Sequence, residues 1–159
     1  MENSDKWYFV LNRKRICKDR IKGELYLENT DFTCLTLEAK DPRGHHPLNP
    51  ALMYALPEGD FPITIKNYSY HPFMPYIRYA PYRNISFAKW QRALKVGNIA
   101  IGNEWIYGNA LYGFEDVAER LYYIIRDFVK KKEFRLFIKY DTDLIIDDET
   151  HTFDYERYY

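Results

Sequence analysis

The chain has 159 residues, of which 47% are hydrophobic and 29% charged, a composition that fits one globular domain and excludes a disordered or membrane-embedded chain. Lysine plus arginine number 23, as do aspartate plus glutamate, and this balance argues against a dedicated nucleic-acid-binding protein, which normally carries a basic excess. No apolar stretch has the length of a membrane span and no signal-peptide pattern opens the sequence, so we expect a cytoplasmic protein without a membrane span.

Most of the predicted elements are β-strands. Short runs rich in aromatic and β-branched residues predict strands at 7–11, 24–28, 32–37, 61–65, 83–87, 98–102 and 134–140. The runs 24–28 and 32–37 are separated by a short polar loop, which is typical of a β-hairpin. Because Pro62 has no backbone N–H to donate, we expect the strand 61–65 to lie at a sheet edge.

Two proline-rich segments and one helix complete the pattern. Segments 41–57 and 68–82 predict long loops, which in compact domains are often functional or mobile. From Phe114 to Val129 the apolar residues recur every three or four positions, and this spacing predicts an amphipathic helix over about 114–131. Gly113 is the expected N-cap, and the acidic first turn and basic last turn both complement the helix dipole.

These elements predict an α+β fold: a mostly antiparallel, curved sheet or partial β-barrel that carries one main amphipathic helix. We expect a single globular domain over residues 1–141 and an acidic, tyrosine-rich C-terminal tail over 142–159, in which 144–146 is a candidate last strand. Charge is segregated, since residues 13–22 are basic and residues 141–156 are acidic. This pattern predicts either two solvated faces that pair with each other or a polarised binding surface.

The two cysteines are weak candidates for nucleophiles. Cys34 lies inside the predicted strand 32–37, where a buried and inert thiol is expected. Cys17 lies in the basic segment, which could lower its pKa, but a partly exposed bystander is the simpler interpretation. Two cysteines do not form a disulfide framework for a domain of this size.

We expect neither a metal site nor a cofactor. Loop histidines could supply up to three zinc ligands, but their spacing is not diagnostic; the histidines are His45, His46, His71 and His151. The C-terminal acids lack the glycine and the spacing of a calcium-binding loop. The segment Gly97–Gly102 lacks the G-x-G-x-x-G spacing of a dinucleotide site, and its glycines are better explained as brackets around a short strand.

Five short motifs nevertheless resemble one known domain in order and spacing. They are Gly23-Glu24-Leu25-Tyr26-Leu27, Phe32-Thr33-Cys34-Leu35-Thr36-Leu37-Glu38, Ala55-Leu56-Pro57-Glu58-Gly59-Asp60-Phe61, Ile85-Ser86-Phe87 and Gly97-Asn98-Ile99-Ala100-Ile101-Gly102. Over roughly residues 7–140 the chain resembles a small uncharacterised domain of phages and Bacteroidetes-type genomes. That domain is in turn distantly similar to the L,D-transpeptidase catalytic domain of cell-wall enzymes.

The resemblance implies two chemical positions, and this chain departs from both. In the family, a histidine typically ends the strand before the loop and a Gly-Cys pair begins the later Gly-x-Ile strand, like the base and nucleophile of the transpeptidases. Here Phe87 occupies the histidine position and Asn98 the cysteine position. A phenyl ring cannot accept a proton and a carboxamide is a very poor nucleophile, so the resemblance implies a domain that has lost catalysis.

A binding pocket could persist at these positions. It would be lined by Arg83, Phe87 and Asn98, with Tyr76 and Tyr82 supplied by the second loop. The simpler interpretation is structural: Phe87 fills the core and Asn98 serves a turn.

The expected function is therefore non-catalytic binding of a protein, a peptide or a cell-wall glycopeptide through aromatic loops. One alternative is a cysteine-dependent enzyme that modifies peptidoglycan or peptides, with Cys34 or Cys17 as a relocated nucleophile and His45, His46 or His71 as its base. Another alternative is a structural component of a phage or mobile element. Of these three functions, the non-catalytic binding function is favoured.

Overall fold

A computed structural model of the chain describes residues 5–43, 54–66, 73–79, 83–106 and 110–147. Within these ranges the chain forms ten strands and two helices: β1 Lys6–Cys17, β2 Ile21–Leu27, β3 Thr33–Glu38, β4 Gly59–Lys66, β5 Met74–Ile77, β6 Arg83–Asn84, α1 Trp90–Lys95, β7 Ala100–Gly102, β8 Glu104–Ile106, β9 Ala110–Tyr112, α2 Phe114–Phe128 and β10 Glu133–Asp147. No helix among these elements is long and apolar enough to cross a membrane.

Eight of the strands form one curled, half-barrel sheet in the order β6-β5-β4-β10-β1-β2-β3-β7. The central pair, β1 and β10, is parallel, and every other neighbouring pair in this sheet is antiparallel. The predicted hairpin is β2–β3. The expected α+β class with a mostly antiparallel, curved sheet is therefore confirmed.

The two edges of this sheet touch at a contact that we call the seam. Ile85, just after β6, forms a parallel bridge with Ile99, just before β7. Two backbone hydrogen bonds hold the bridge: Ser86 N–H donates to the Ile99 carbonyl at 2.8 Å, and Ile99 N–H donates to the Asn84 carbonyl at 3.0 Å. The seam brings two distant parts of the chain side by side.

The main core lies between the inner face of the sheet and α2. Val117, Leu121 and Ile125 form the buried stripe of α2, as the sequence spacing predicts. Each apolar Å² removed from water here stabilises the fold by about 25 cal/mol. Gly113 is the N-cap, with a φ of 92° that glycine adopts readily. The helix ends at Phe128, slightly before the predicted bound, because the next residues turn into β10.

A second, smaller core covers part of the outer face of the sheet. There α1 and the β8–β9 hairpin pack on Leu37 and Ala100, which are neighbours on β3 and β7. Gly102 permits this close approach, since a Cβ there would lie 2.6 Å from Leu111 Cγ. The sequence does not predict α1, because six residues are too few to display a helical period.

The expected edge position of Pro62 is wrong, because β4 lies between β5 and β10. The first half of β4 pairs with β10 as far as Pro62, which lies opposite Arg135, and the second half pairs with β5 from Ile63 onward. Pro62 thus stands where β4 exchanges one neighbour for the next, so its missing N–H is tolerated inside the sheet.

The strand β10 also differs from its predicted extent. It continues to Asp147 through an irregular stretch at 141–144, so the expected domain boundary at residue 142 falls inside a strand that pairs with β1 on both sides of that stretch. The rest of the expected tail, 148–159, lies outside the described residues, as do Tyr82 and most of the two expected loops. The four histidines, His45, His46, His71 and His151, lie outside them as well.

Candidate functional site

The two positions singled out by the resemblance lie on neighbouring segments at the seam. The Asn98 side-chain oxygen accepts a hydrogen bond from the backbone N–H of Asn84 at 3.0 Å, which fastens one sheet edge to the other. Phe87 is half-buried and packs against the main core. Phe87 therefore packs on the core, as the simpler interpretation of the sequence expects, whereas the Asn98 side chain bonds across the seam and not within a turn.

The other expected pocket residues do not share a face of the sheet. Arg83 lies opposite Ile77 and faces inward, where its guanidinium donates to the Tyr54 carbonyl at 2.8 Å. Tyr76 lies opposite Asn84 on the other face. Its ring lies 4.9 Å from the Lys66 ammonium, measured to the ring centroid. Within the described residues, Arg83 and Tyr76 therefore cannot line one pocket with each other.

Neither cysteine is placed as a nucleophile. Cys34 is buried, as expected, and burial raises its pKa to about 12. Cys17 is only 2% exposed, so its expected partial exposure is wrong; it ends β1 at a tight turn in which its N–H donates to the Arg20 carbonyl. Burial raises the pKa of Cys17 as well, despite the cations nearby. Burial therefore favours the protonated form of both thiols.

Metal chemistry finds no support in the described part of the chain. No group of three or more histidine, cysteine, aspartate or glutamate side chains converges there.

Among the described residues, a polar concavity lies on the outer face of the sheet, and we call it the charged groove. It has a volume of about 480 Å³, within the usual range of ligand sites. Its floor is formed by β10, β1 and β2 and its wall by Trp105 of β8. The lining residues are Lys14, Arg15, Lys22, Glu24, Trp105, Asp141, Asp143 and Ile145.

Two irregularities in neighbouring strands shape the groove. On the β2 side, Arg13 lies opposite Gly23 and Arg15 opposite Lys22, so Lys14 is an extra residue of β1; the other irregularity is on the β10 side. Arg13 lies opposite Tyr140 and Arg15 opposite Ile145, so one residue of β1 faces four residues of β10, 141–144. The extra residues of β10 are held in place by Asp141, whose carboxylate accepts hydrogen bonds from the Asn12 side chain at 2.7 Å and the Asp143 N–H at 3.1 Å. Bulges often redirect side chains beside functional sites.

Charges of opposite sign cross the floor in a row. The Lys14 ammonium lies 3.9 Å from Glu24 on β2 and 3.8 Å from Asp141 on β10. Further along the strands, Arg15 pairs with Asp147 at 3.2 Å. The basic and acidic segments of the sequence thus lie on adjacent strands and pair with each other, which confirms that part of the charge prediction.

Trp105 forms a rigid apolar wall. Its indole N–H donates to the Thr36 carbonyl at 3.1 Å, which fixes the ring against the smaller core. The Lys22 ammonium lies 5.5 Å from the centre of that ring. Burial lowers the pKa of Lys22, because its charged form loses hydration at this position.

A buried network fixes both strands where the irregularities begin. Arg13 is fully buried and binds both carboxylate oxygens of Glu38, at 3.0 and 2.8 Å. It also donates to the Tyr140 hydroxyl at 3.1 Å and the Leu56 carbonyl at 2.6 Å. The Tyr140 hydroxyl in turn donates to Asp41 at 2.7 Å. The shape of the groove floor is therefore set from below by ordered polar contacts.

A smaller hollow of about 310 Å³ lies between α1, the β8–β9 hairpin and the start of α2. Aliphatic and aromatic side chains dominate its lining, which includes Trp90, Ile106, Leu111, Tyr112 and Phe114. It lacks the cross-strand pairs of opposite charge that distinguish the charged groove.

The sequence pattern predicts only part of the groove. The segregated charges pointed to a polarised surface, and they supply most of its floor. Nothing in the sequence marked Trp105, because its role depends on the fold of the β8–β9 hairpin over β3.

Comparison with known proteins adds no assignment: no protein-family model, no curated protein and no solved structure matches this chain.

Proposed function

We propose that this chain is a non-catalytic binding protein that takes a polar peptide or glycopeptide in the charged groove. We further propose that it is a degenerate relative of the cell-wall-enzyme-like domain that its motifs resemble. The observation that carries the binding proposal is the groove itself: irregular strands, charges of both signs and an anchored tryptophan wall meet at one concavity of ligand size.

The state of the reactive groups supports the absence of catalysis. A thiol attacks as its thiolate, and burial raises the pKa of both cysteines. The two positions that carry base and nucleophile in the resembled family hold Phe87, which packs on the core, and Asn98, whose oxygen is engaged at the seam. A protein of this kind holds a ligand without converting it.

The charge pattern of the groove supports a polar ligand with both donors and acceptors. Lysine and arginine side chains offer donors, and the three carboxylates offer acceptors. Peptides and glycopeptides present amide, carboxylate and hydroxyl groups that match these side chains. The indole face adds apolar area against which a methyl group or a sugar ring can pack.

The binding proposal is tested by titrating the protein with soluble muropeptides, observed through the Trp105 indole resonance in NMR spectra. We expect saturable shifts at Trp105 and Lys14, and no change in ligand mass after prolonged incubation. Trp105→Ala should weaken binding at least about tenfold, since a buried aromatic anchor commonly contributes more than 1.4 kcal/mol.

Two variants serve as matched controls. Tyr112→Ala removes an exposed aromatic side chain from the same hairpin but outside the groove, and should leave affinity unchanged. Tyr76→Ala removes an aromatic side chain of the expected loop site and should also have no effect. An equal loss of affinity in Trp105→Ala and Tyr76→Ala, or the absence of an NMR shift at Trp105, would show that the groove is not the binding site.

The enzyme alternative is tested with a thiol-reactive probe. In the folded protein at neutral pH we expect slow labelling of both Cys17 and Cys34, with rapid labelling only after denaturation. Fast labelling of one cysteine that muropeptides block would favour the cysteine-dependent enzyme instead.

A further inference from the structure

Lys22 stands at one side of the charged groove, where the field of Asp147 acts on its ammonium without a direct ion pair between them. Its ammonium contacts the Trp105 ring, and no carboxylate of the described residues lies within ion-pair distance of it. The other two cations of the groove, Lys14 and Arg15, both have carboxylate partners. An anionic ligand group beside Lys22 would therefore gain a contact that the protein itself does not supply.

Asp143 stands at the opposite side with the reverse charge. It lies on the irregular stretch of β10, exposed, with its backbone N–H bonded to Asp141. Among the described residues its own carboxylate has no cation within ion-pair distance, whereas Glu24 and Asp141 share Lys14. A cationic ligand group would be bound here without displacing an existing pair.

The spacing of the two strands that carry these charges gives an approximate ligand length. Lys22 is on β2 and Asp143 on β10, with β1 between them, so their strands are two spacings or about 10 Å apart. An extended peptide spans about 3.3–3.6 Å per residue, and three residues therefore cover about 10 Å. A tripeptide with free termini carries one positive and one negative charge at its two ends.

We infer that the charged groove takes a tripeptide with free termini, its carboxylate at Lys22 beside Trp105 and its ammonium at Asp143. This assignment rests on the proposed function of the groove and specifies its ligand class. The central Glu24–Lys14–Asp141 row lies beneath the backbone of such a peptide and offers partners to its amide groups.

The test uses trialanine, its N-acetylated form, its C-terminal amide, and the peptide blocked at both ends, each titrated by NMR against the whole chain. We expect trialanine to bind about tenfold more tightly than either singly blocked form, because each blocked end loses a charge-assisted contact. Dialanine and pentaalanine should both bind more weakly than trialanine.

Two groove variants assign the ends. Lys22→Gln should abolish the preference for a free carboxylate and keep the preference for a free ammonium, and Asp143→Asn should do the reverse. Lys18→Gln, an exposed charge change in the turn between β1 and β2, should preserve both preferences.

The outcomes separate this inference from the proposed function. Equal binding of free and blocked peptides, with shifts at Trp105, would overturn the tripeptide assignment and leave the binding function standing. The same holds if muropeptides shift Trp105 and no tripeptide does. If no probe shifts Trp105, both proposals fail.

Discussion

At the residue scale, the least expected feature is a charged side chain at the centre of the fold. Arg13 is fully buried together with Glu38, which is 2% exposed. Burial alone would lower the pKa of Arg13, but Glu38 and Tyr140 together raise it above its ordinary value. Such a buried ion pair contributes little more to stability than apolar residues of similar size would. Removing one partner is nevertheless costly, because the other charge is then buried without a counter-charge.

We therefore predict that Glu38→Gln lowers the free energy of unfolding by about 3–5 kcal/mol, the usual cost of breaking a buried ion pair. Urea denaturation followed by circular dichroism measures this change. Arg43→Ala is the matched control: it removes a guanidinium that is 46% exposed and pairs with Asp41 at the rim of the network, and should cost less than about 1 kcal/mol.

The outcome that would contradict this prediction is an equal loss in both variants. The double change Arg13→Met with Glu38→Leu gives a second check. It should cost less than Glu38→Gln alone, since no unpaired charge remains in the interior.

Single residues were only partly predictable from the sequence. The burial of Cys34 was expected, because it lies inside a predicted strand on the face shared with Phe32 and Thr36. The burial of Arg13 and Glu38 was not expected, because charged residues are predicted to be solvent-exposed as long as their partners in the fold are unknown. Their pairing joins β1 to β3 across β2, and no local pattern encodes it.

At the element scale, strongly periodic segments were predictable and irregular ones were not. The stripe of α2 marked the helix directly, and the alternation of β2 and β3 marked the hairpin. The predicted strand 134–140 and the candidate strand 144–146 are parts of one strand, β10, and the sequence separates them because residues 141–144 interrupt the alternation. The same irregular stretch helps to shape the groove, so the residues that make the strand difficult to predict also contribute to the candidate site.

The seam allows a direct test of the resemblance. The proposed relationship predicts that Phe87→His combined with Asn98→Cys produces a thiol at position 98 that reacts with iodoacetamide at least about tenfold faster than in Asn98→Cys alone, because an imidazole within hydrogen-bond reach of that thiol would favour the thiolate. Mass spectrometry of the labelled peptide provides the measurement.

The control for this experiment is Asn98→Cys with Phe87→Leu, which keeps the core apolar. Equal labelling rates in the two double variants would mean that positions 87 and 98 are not aligned as the resemblance implies. Loss of the hydrogen bond to Asn84 should lower stability in all three variants by about 1 kcal/mol, so it does not distinguish them.

At the scale of the whole molecule, buried weak acids link stability to alkaline pH. Burial raises the pKa of Cys34 from 9.0 to about 12 and that of Tyr140 from 10.0 to about 12. Both groups therefore hold their protons more tightly in the folded state than in the unfolded chain. Their contribution is complete below the unfolded pKa and is lost as the pH rises through the folded pKa.

We predict that the free energy of unfolding is insensitive to these groups up to about pH 9 and falls between about pH 9 and 12. Urea denaturation at a series of pH values measures this slope. Cys34→Ala should reduce the slope from about pH 9 upward and Tyr140→Phe from about pH 10 upward. Tyr112→Phe changes an exposed hydroxyl and should leave the slope as it is; an equal slope in all four proteins would contradict the prediction.

The position of the first strand has a further consequence for how the molecule comes together. β1 lies beside β10 in the middle of the sheet, with Lys6 opposite Glu133, so its longest ladder joins the two ends of the described chain. Closing so long a loop lowers the entropy of the chain before stabilising contacts have formed. Folds dominated by contacts between distant residues therefore form slowly. During synthesis, the edge of β1 that pairs with β10 therefore remains unpaired until nearly the whole domain has left the ribosome.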